Sequence, residues 1–107
     1  MSREKVPDQK DRYRPGCLAK SLAGRDKGRL YVIMRDAGEY VILTDGDIRT
    51  VTRPKRKNKK HVQLQYPQDE TLEHKLERSE TVSDEEIVKV LKASREASAA
   101  RRNRRNV

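Results

Sequence analysis

Two apolar runs separated by one turn constrain the fold of this chain more than any other feature. They are R-L-Y-V-I-M-R at residues 29–35 and Y-V-I-L-T at residues 40–44, and the D-A-G-E between them favours a turn. Both runs are rich in β-branched and aromatic residues, which is typical of strands. Only 33% of the 107 residues are hydrophobic, with no Phe or Trp, so these two strands are expected to supply much of the core.

Weaker strand signals lie on both sides of this pair. Residues 17–19 (C-L-A) predict a brief strand, and residues 62–66 (V-Q-L-Q-Y) alternate strictly between apolar and polar. Asp45-Gly46 predicts a tight hairpin turn, after which residues 48–52 would pair back as a further strand. About five short strands in so short a segment predict a mainly β fold, a small closed or half-closed barrel.

The distribution of charge divides the chain into three parts. Residues 1–15 carry a net charge of +2 and few apolar side chains, so they predict a flexible arm. Residues 16–66, the predicted barrel, carry +7, whereas residues 67–100 carry −4 and residues 101–107 carry +4. Because the hydrophobic rhythm also changes near Pro67, residues 67–107 are predicted to form a charged helical extension with an Arg-rich tail.

The clearest helix signal in this extension is T-V-S-D-E-E-I at residues 81–87. Ser83 and Glu86 have the spacing of a capping box, and Val82 and Ile87 fit a hydrophobic staple around it. The sequence therefore predicts a helix that begins near Asp84 and carries one narrow apolar stripe.

Residues 53–61, R-P-K-R-K-N-K-K-H, contain six cations and no acid. They lie between two predicted strands, so we expect a loop, and such a concentrated charge favours contact with a polyanion. The alternative is a solvated loop that only aids solubility. If the loop binds phosphates, the candidate residues are Arg53, Lys55, Arg56, Lys57, Lys59, Lys60 and His61.

A second candidate is the stretch S-L-A-G-R-D-K-G-R-L-Y-V-I at residues 21–33. Gly24 and Gly28 bracket a charged tip, and the cations offered there are Lys20, Arg25, Lys27 and Arg29. Glycine permits sharp turns and close approach of another backbone, so this tip suits a sugar-phosphate chain. Spacing alone supports an ordinary charged turn equally well.

The third candidate is R-R-N-R-R at residues 101–105, with Arg101, Arg102, Arg104 and Arg105. Guanidinium groups pair with phosphates and stack on bases, which suits RNA. The same arginines would also favour the negative end of a helix dipole. Both interpretations stay open on the sequence.

Several classes of function lack their usual signatures. Cys17 is the only cysteine, so an internal disulfide is impossible and a reducing cytoplasm is the expected location. His61 and His74 have no ligand at metal-binding spacing, and no nucleophile–base pair or phosphate-binding glycine motif is present. We therefore expect no enzyme activity, no metal and no cofactor. No apolar run approaches the length of a membrane span.

The arrangement around Gly28 resembles a known motif. G-C-L-A-K-S-L-A-G-R-D-K-G-R-L-Y-V-I-M is similar to a KOW motif, and the order of this loop, a strand, T-D-G and a basic segment extends the likeness over about residues 14–66. The resemblance is to the KOW barrels of archaeal and eukaryotic large-subunit ribosomal proteins and to short bacterial relatives. It implies an SH3-like barrel that binds RNA, commonly on the ribosome. Gly28 matches the motif's characteristic glycine, and Gly24 and Gly46 are the other expected structural glycines.

The combined prediction is a monomeric, cytoplasmic RNA-binding protein associated with the ribosome. Its basic loops would contact the backbone of structured, ribosomal RNA, since few aromatic side chains are available to read bases. The net charge of +9 agrees with such a partner. A protein-interaction module of the transcription or translation machinery is the alternative, with the acidic helix from Asp84 docking on a basic partner. Non-specific DNA binding is a third possibility.

Overall fold

The computed structural model describes residues 13–65, 70–78 and 80–105. The strands and helices are β1 Leu18–Ser21, β2 Leu30–Ala37, β3 Tyr40–Thr44, β4 Lys55–Asn58, β5 Val62–Gln65, α1 Glu70–Glu77 and α2 Asp84–Arg105. The five strands form one antiparallel sheet in the order β4-β3-β2-β1-β5. A short 3-10 turn, Lys59–His61, joins β4 to β5. The prediction of a mainly β fold with a C-terminal helix is confirmed.

The sheet is buried on both faces, which explains why its central strands contain consecutive apolar residues. Leu18 and Ala19 are neighbours in β1, yet they belong to different clusters because alternate side chains point to opposite faces. One cluster comprises Cys17, Ala19, Tyr31, Ile33, Val41, Leu43 and Val62. The other comprises Leu18, Val32, Leu72, Val82, Ile87 and Leu91. The extension thus packs on the sheet rather than apart from it.

The strand predicted at residues 48–52 is wrong, as is the tight hairpin at Asp45-Gly46. Residues 45–54 instead form an irregular connection that satisfies its own polar groups. The Asp45 carboxylate accepts hydrogen bonds from the backbone N–H groups of Asp47 (3.0 Å) and Arg49 (2.8 Å). The backbone N–H of Val51 donates to the Asp84 carboxylate at 2.8 Å. A side chain from a distant helix therefore takes the place of a strand partner.

The loop predicted over residues 53–61 is also wrong, because β4 lies within it. Lys and Asn are poor strand formers, so local propensity gave no signal for this strand. The β3 backbone nevertheless pairs with it, from Tyr40 opposite Asn58 to Leu43 opposite Lys55. The pairing satisfies backbone groups along both strands, and tertiary context overrides the weak propensity.

The predicted start of the long helix is confirmed together with its cap. The Ser83 backbone N–H donates to Glu86 Oε1 at 3.1 Å, and the Glu86 backbone N–H donates to Ser83 Oγ at 3.2 Å. Val82 and Ile87 are both buried in the cluster beneath the helix. In the described part of the chain, no helix is long and apolar enough to cross a membrane.

Replacing Ser83 with Ala is expected to lower the free energy of unfolding by about 1 kcal/mol, because the Glu86 N–H loses its side-chain acceptor. Urea denaturation followed by circular dichroism would measure the change. Thr81→Ala, at an exposed position just before the cap, is the matched control and should leave the midpoint unchanged. An equal effect of both substitutions would contradict the capping role.

Candidate nucleic-acid interface

The loop between β1 and β2, residues 22–29, is closed by its own backbone. The Gly28 N–H donates to the Ser21 carbonyl at 2.8 Å, and the Ser21 N–H donates to the Arg29 carbonyl at 2.9 Å. Gly24 and Gly28 take φ values of +91° and +90°, which other residues rarely adopt. Both glycines are therefore structural, as the sequence indicates, and they set the course of the charged tip.

Asp26 anchors this tip by pointing inward. Its Oδ2 accepts a hydrogen bond from the Tyr31 hydroxyl at 2.6 Å, and its Oδ1 accepts one from the Ser21 hydroxyl at 2.8 Å. Two lysines of β4 complete the arrangement, with Lys55 Nζ 3.1 Å from Oδ2 and Lys57 Nζ 3.1 Å from Oδ1. Lys57 also donates to the Ala23 carbonyl at 2.9 Å. We call these five residues, Ser21, Asp26, Tyr31, Lys55 and Lys57, the Asp26 cluster.

The Asp26 cluster shifts the ionisation of its members. Burial alone would raise the pKa of the Asp26 carboxyl, but the hydrogen bonds from Tyr31, Ser21 and the two lysines hold that pKa well below its usual range. Burial, and the hydrogen bond to the Asp26 carboxylate, raise the pKa of the Tyr31 phenol well above its usual range. The cluster therefore holds a carboxylate and a neutral phenol throughout the physiological pH range.

With Asp26 turned inward, the remaining cations of the loop and of the adjoining end of β1 face solvent. Lys20, Arg25 and Lys27 are exposed, and none of them forms an ion pair with another described residue. Arg29 is 42% exposed and pairs with Asp45 at 3.0 Å. Burial alone would raise the pKa of Asp45, but the backbone hydrogen bonds from Arg49 and Asp47, together with the Arg29 contact, lower it.

These cations line a groove of about 570 Å³ that residues of α2 also line. The loop contributes Arg25, Asp26, Lys27, Gly28 and Arg29, and Lys20, Leu30 and Gln65 of the neighbouring strands lie beside them. The helix contributes Ser94, Arg95 and Ser98. The groove is thus lined by five cations and one carboxylate, that of Asp26. Lys55 and Lys57 already neutralise this carboxylate. We call this cleft the basic groove.

The cations of residues 53–61 do not form a single surface. Lys55 and Lys57 belong to the Asp26 cluster, and their side chains are only 26% and 12% exposed. Lys59 pairs with Asp36 at 2.8 Å and lies 4.8 Å from the Tyr13 ring centroid. Three of the six cations in this segment, Lys55, Lys57 and Lys59, therefore form ion pairs with carboxylates of the protein itself.

The other predicted members of this segment lie elsewhere. Arg56 packs over the Tyr40 ring at 4.4 Å from its centroid, an arrangement typical of a cation–π contact. Arg53 and Lys60 are exposed, and His61 is half-buried at the end of the 3-10 turn. None of these residues lines the basic groove.

The predicted Arg-rich tail lies at the end of α2, whose backbone runs to Arg105. The side chains of Arg101, Arg102, Arg104 and Arg105 lie outside the described part of the structure, as do the arm up to residue 12 and the predicted boundary at Pro67. Their roles stay predictions. Over the side chains that the structure does describe, no cluster of His, Cys, Asp or Glu could hold a metal ion.

The helical wall of the basic groove was not predicted from the sequence. Arg95, Ser94 and Ser98 were part of a segment whose helical pattern fades after Leu91. The available signal was the position of Ser94 and Ser98, three and seven residues after Leu91, on the face by which the helix packs on the sheet. Small polar side chains on a packing face indicate a surface that meets something other than the core.

No protein-family model matches this chain, and no curated protein matches it either.

Proposed function

We propose that this chain is a cytoplasmic, ribosome-associated RNA-binding protein that uses the basic groove to hold the RNA backbone. The observation that supports the proposal is the set of exposed cations Lys20, Arg25 and Lys27, which no carboxylate of the described residues neutralises. Contacts of this kind are made with phosphates and carry little sequence information. The resemblance of residues 14–66 to KOW motifs supports RNA as the polyanion and the ribosome as its setting.

We also propose that the sheet is an SH3-like barrel of the KOW type. Two features of its edge strands support this. The 3-10 turn Lys59–His61 connects the edge strands β4 and β5 directly, and Lys57 of β4 donates to the Ala23 carbonyl in the loop after β1 at 2.9 Å. Because β1 is the neighbour of β5, both features bring the two edges of the sheet towards each other, as closure of a barrel requires.

The alternative, a protein-interaction module, gains no support from the acidic start of α2. The Asp84 carboxylate accepts a hydrogen bond from the Val51 N–H, and Glu86 closes the helix cap and pairs with Lys75. Only Glu85 of the three acids in this turn has no such contact with a described residue and is exposed. A basic protein partner would therefore meet little available negative charge there.

Salt dependence of RNA affinity tests the proposed function. If the groove neutralises about four phosphates of a single strand, log affinity should fall against log salt with a slope of about −3. Replacing Lys20, Arg25 and Lys27 together with Ala should reduce that slope by about 2, because three phosphate contacts are lost. Fluorescence anisotropy with a labelled ribosomal RNA fragment would measure both slopes.

The matched control is the triple variant Arg35→Ala, Arg49→Ala, Lys89→Ala, which removes the same charge from exposed positions outside the groove. It should change the slope by less than half as much. A salt-independent affinity, or equal slopes for the two triple variants, would contradict the proposed function. Tighter binding of DNA than of RNA of the same sequence would instead favour the DNA alternative.

A further inference from the structure

The basic groove has two walls of different origin. The 22–29 loop belongs to the segment with the KOW resemblance, whereas Ser94, Arg95 and Ser98 belong to α2, which lies outside it. The helical wall is held firmly, because Ile87 and Leu91 are buried against the sheet at exposures of 0% and 2%. The groove is therefore built by packing of the extension on the sheet.

The packing face of α2 changes in chemistry at the groove. Ile87 and Leu91 contact the apolar cluster, and the next positions on that face are Ser94 and Ser98, which are half-buried and line the groove. Short side chains at these positions keep the cleft open beside the exposed Arg95. The helix backbone continues seven residues beyond Ser98, to Arg105, roughly 10 Å further.

We infer that the basic groove is a two-walled site for one extended RNA strand, whose phosphates contact Arg25 and Lys27 on one side and Arg95 on the other. This inference rests on the proposed function and deepens it by naming the form of RNA that enters the groove. Proteins that hold single strands use a positively charged groove of this kind to follow the backbone.

The volume of the groove favours a single strand over a duplex. It is about 570 Å³, within the usual range of small-ligand pockets, about 300–1,000 Å³. A duplex is wider than its own grooves, which are about 6 to 12 Å wide in DNA, so more of a single strand than of a duplex can enter the cleft. An unpaired segment of a structured RNA can enter, with one wall on each side.

The remaining residues that line the groove offer few groups that could distinguish one base from another. We therefore expect the strand to be bound without strong base preference. Leu30 supplies apolar surface, and the Gln65 amide N–H donates to nearby backbone carbonyls. None of the described residues lining the groove is aromatic, so no stacking platform selects among bases. Affinity should come mainly from the phosphate contacts.

Charge reversal on the helical wall tests this site. The full chain would be titrated with a short fluorescein-labelled oligouridine and with an RNA duplex of the same length, at one fixed salt concentration. Arg95→Glu is expected to weaken oligouridine binding at least about tenfold, because a phosphate contact becomes a repulsion. Lys92→Glu makes the same charge change at an exposed position of α2 outside the groove and should change affinity by about twofold or less.

A second pair of variants tests the volume of the cleft without changing charge. Ser98→Trp fills the groove and should weaken oligouridine binding, whereas Ala93→Trp, at an exposed position of the same helix, should not. The duplex should bind more weakly than the oligouridine and should not respond to Ser98→Trp. Circular dichroism spectra and urea midpoints would verify that all four variants are folded.

The outcomes separate the two proposals. If Arg95→Glu and Ser98→Trp match their controls while the triple variant Lys20→Ala, Arg25→Ala, Lys27→Ala loses binding, the loop alone holds RNA and the two-walled site is overturned. If the duplex binds as tightly as the oligouridine, the choice of a single strand is overturned. If none of the variants affects binding and affinity is independent of salt, the proposed function fails as well.

Discussion

Replacement of Gly46 with Ala is expected to lower the free energy of unfolding by about 3 kcal/mol, through strain and a steric clash. Gly46 has a φ of +76°, which an L-residue adopts only at a cost. An added Cβ would lie 2.5 Å from the Asp84 carbonyl oxygen and 3.0 Å from Val88 Cγ2. Because the first of these atoms belongs to the backbone of α2, the helix itself would have to move away from the sheet.

Gly38→Ala is the matched control for this prediction. Its φ is +81°, but nothing lies within 4 Å of the added Cβ, so only the backbone strain is expected, about 1 kcal/mol. Urea unfolding of both variants would separate strain from contact. Equal destabilisation by the two substitutions would contradict a steric clash between the added Cβ at position 46 and α2.

Replacement of Asp26 with Asn is expected to destabilise the fold by about 3 kcal/mol, since it removes the carboxylate that neutralises two lysines. The Asp26 and Lys57 side chains are only 11% and 12% exposed, so the ammonium group would be left with little solvent compensation. Asp36→Asn is the control, because its partner Lys59 is 19% exposed and the acid 25% exposed. That substitution should cost less than half as much.

The lowered pKa of Asp26 gives this prediction a pH signature. An acid whose pKa is depressed in the folded state adds stability above its unfolded pKa of about 3.9, and that stability is lost as the pH falls towards the folded pKa. Wild-type stability should therefore fall steeply below about pH 4. Asp26→Asn should flatten this part of the profile, measured by urea unfolding over pH 2–7. An unchanged acid slope would contradict the role of the Asp26 cluster.

Loss of the Asp26 cluster should also weaken the proposed RNA binding, because the cluster fixes the tip that carries Arg25 and Lys27. Its geometry explains the alternation of charge in R-D-K at residues 25–27. The acid turns inward to Ser21, Tyr31 and β4, and the two cations turn outward. From the sequence the three residues were one charged tip; in the structure the acid stabilises the loop and the cations remain available for a ligand.

Elements with a strong local signal were predictable. The β2–β3 hairpin depends on apolar, β-branched runs and an intervening turn, and the start of α2 depends on a capping box. Each of these signals is contained in a short stretch of consecutive residues. β4 could not be predicted, because its residues are poor strand formers that pair only after β3 supplies a partner. The strand expected at residues 48–52 failed for the converse reason, since Asp84 captures the Val51 N–H from a distance in sequence.

The candidate site was predictable only in part, because it too depends on contacts between residues that are distant in sequence. The sequence marks every cation, but it does not show which of them meet internal carboxylates. Lys55, Lys57 and Lys59 belonged to the strongest predicted phosphate-binding segment, and all three form internal ion pairs. Arg95 was not a candidate, yet it lines the groove with Arg25 and Lys27.

The sequence by itself determined the central strands, the glycine-bracketed loop, the cap of α2 and the excess of positive charge, because each is a property of neighbouring residues or of composition. Only the tertiary structure decided that the extension packs on the second face of the sheet, that β4 forms in a basic segment, and which cations remain exposed. These outcomes depend on contacts between residues far apart in the chain, such as Asp26 with Lys57 and Gly46 with Asp84. Hydrophobic burial and charge pairing depend on which residues are close in space. Local sequence patterns do not carry that information.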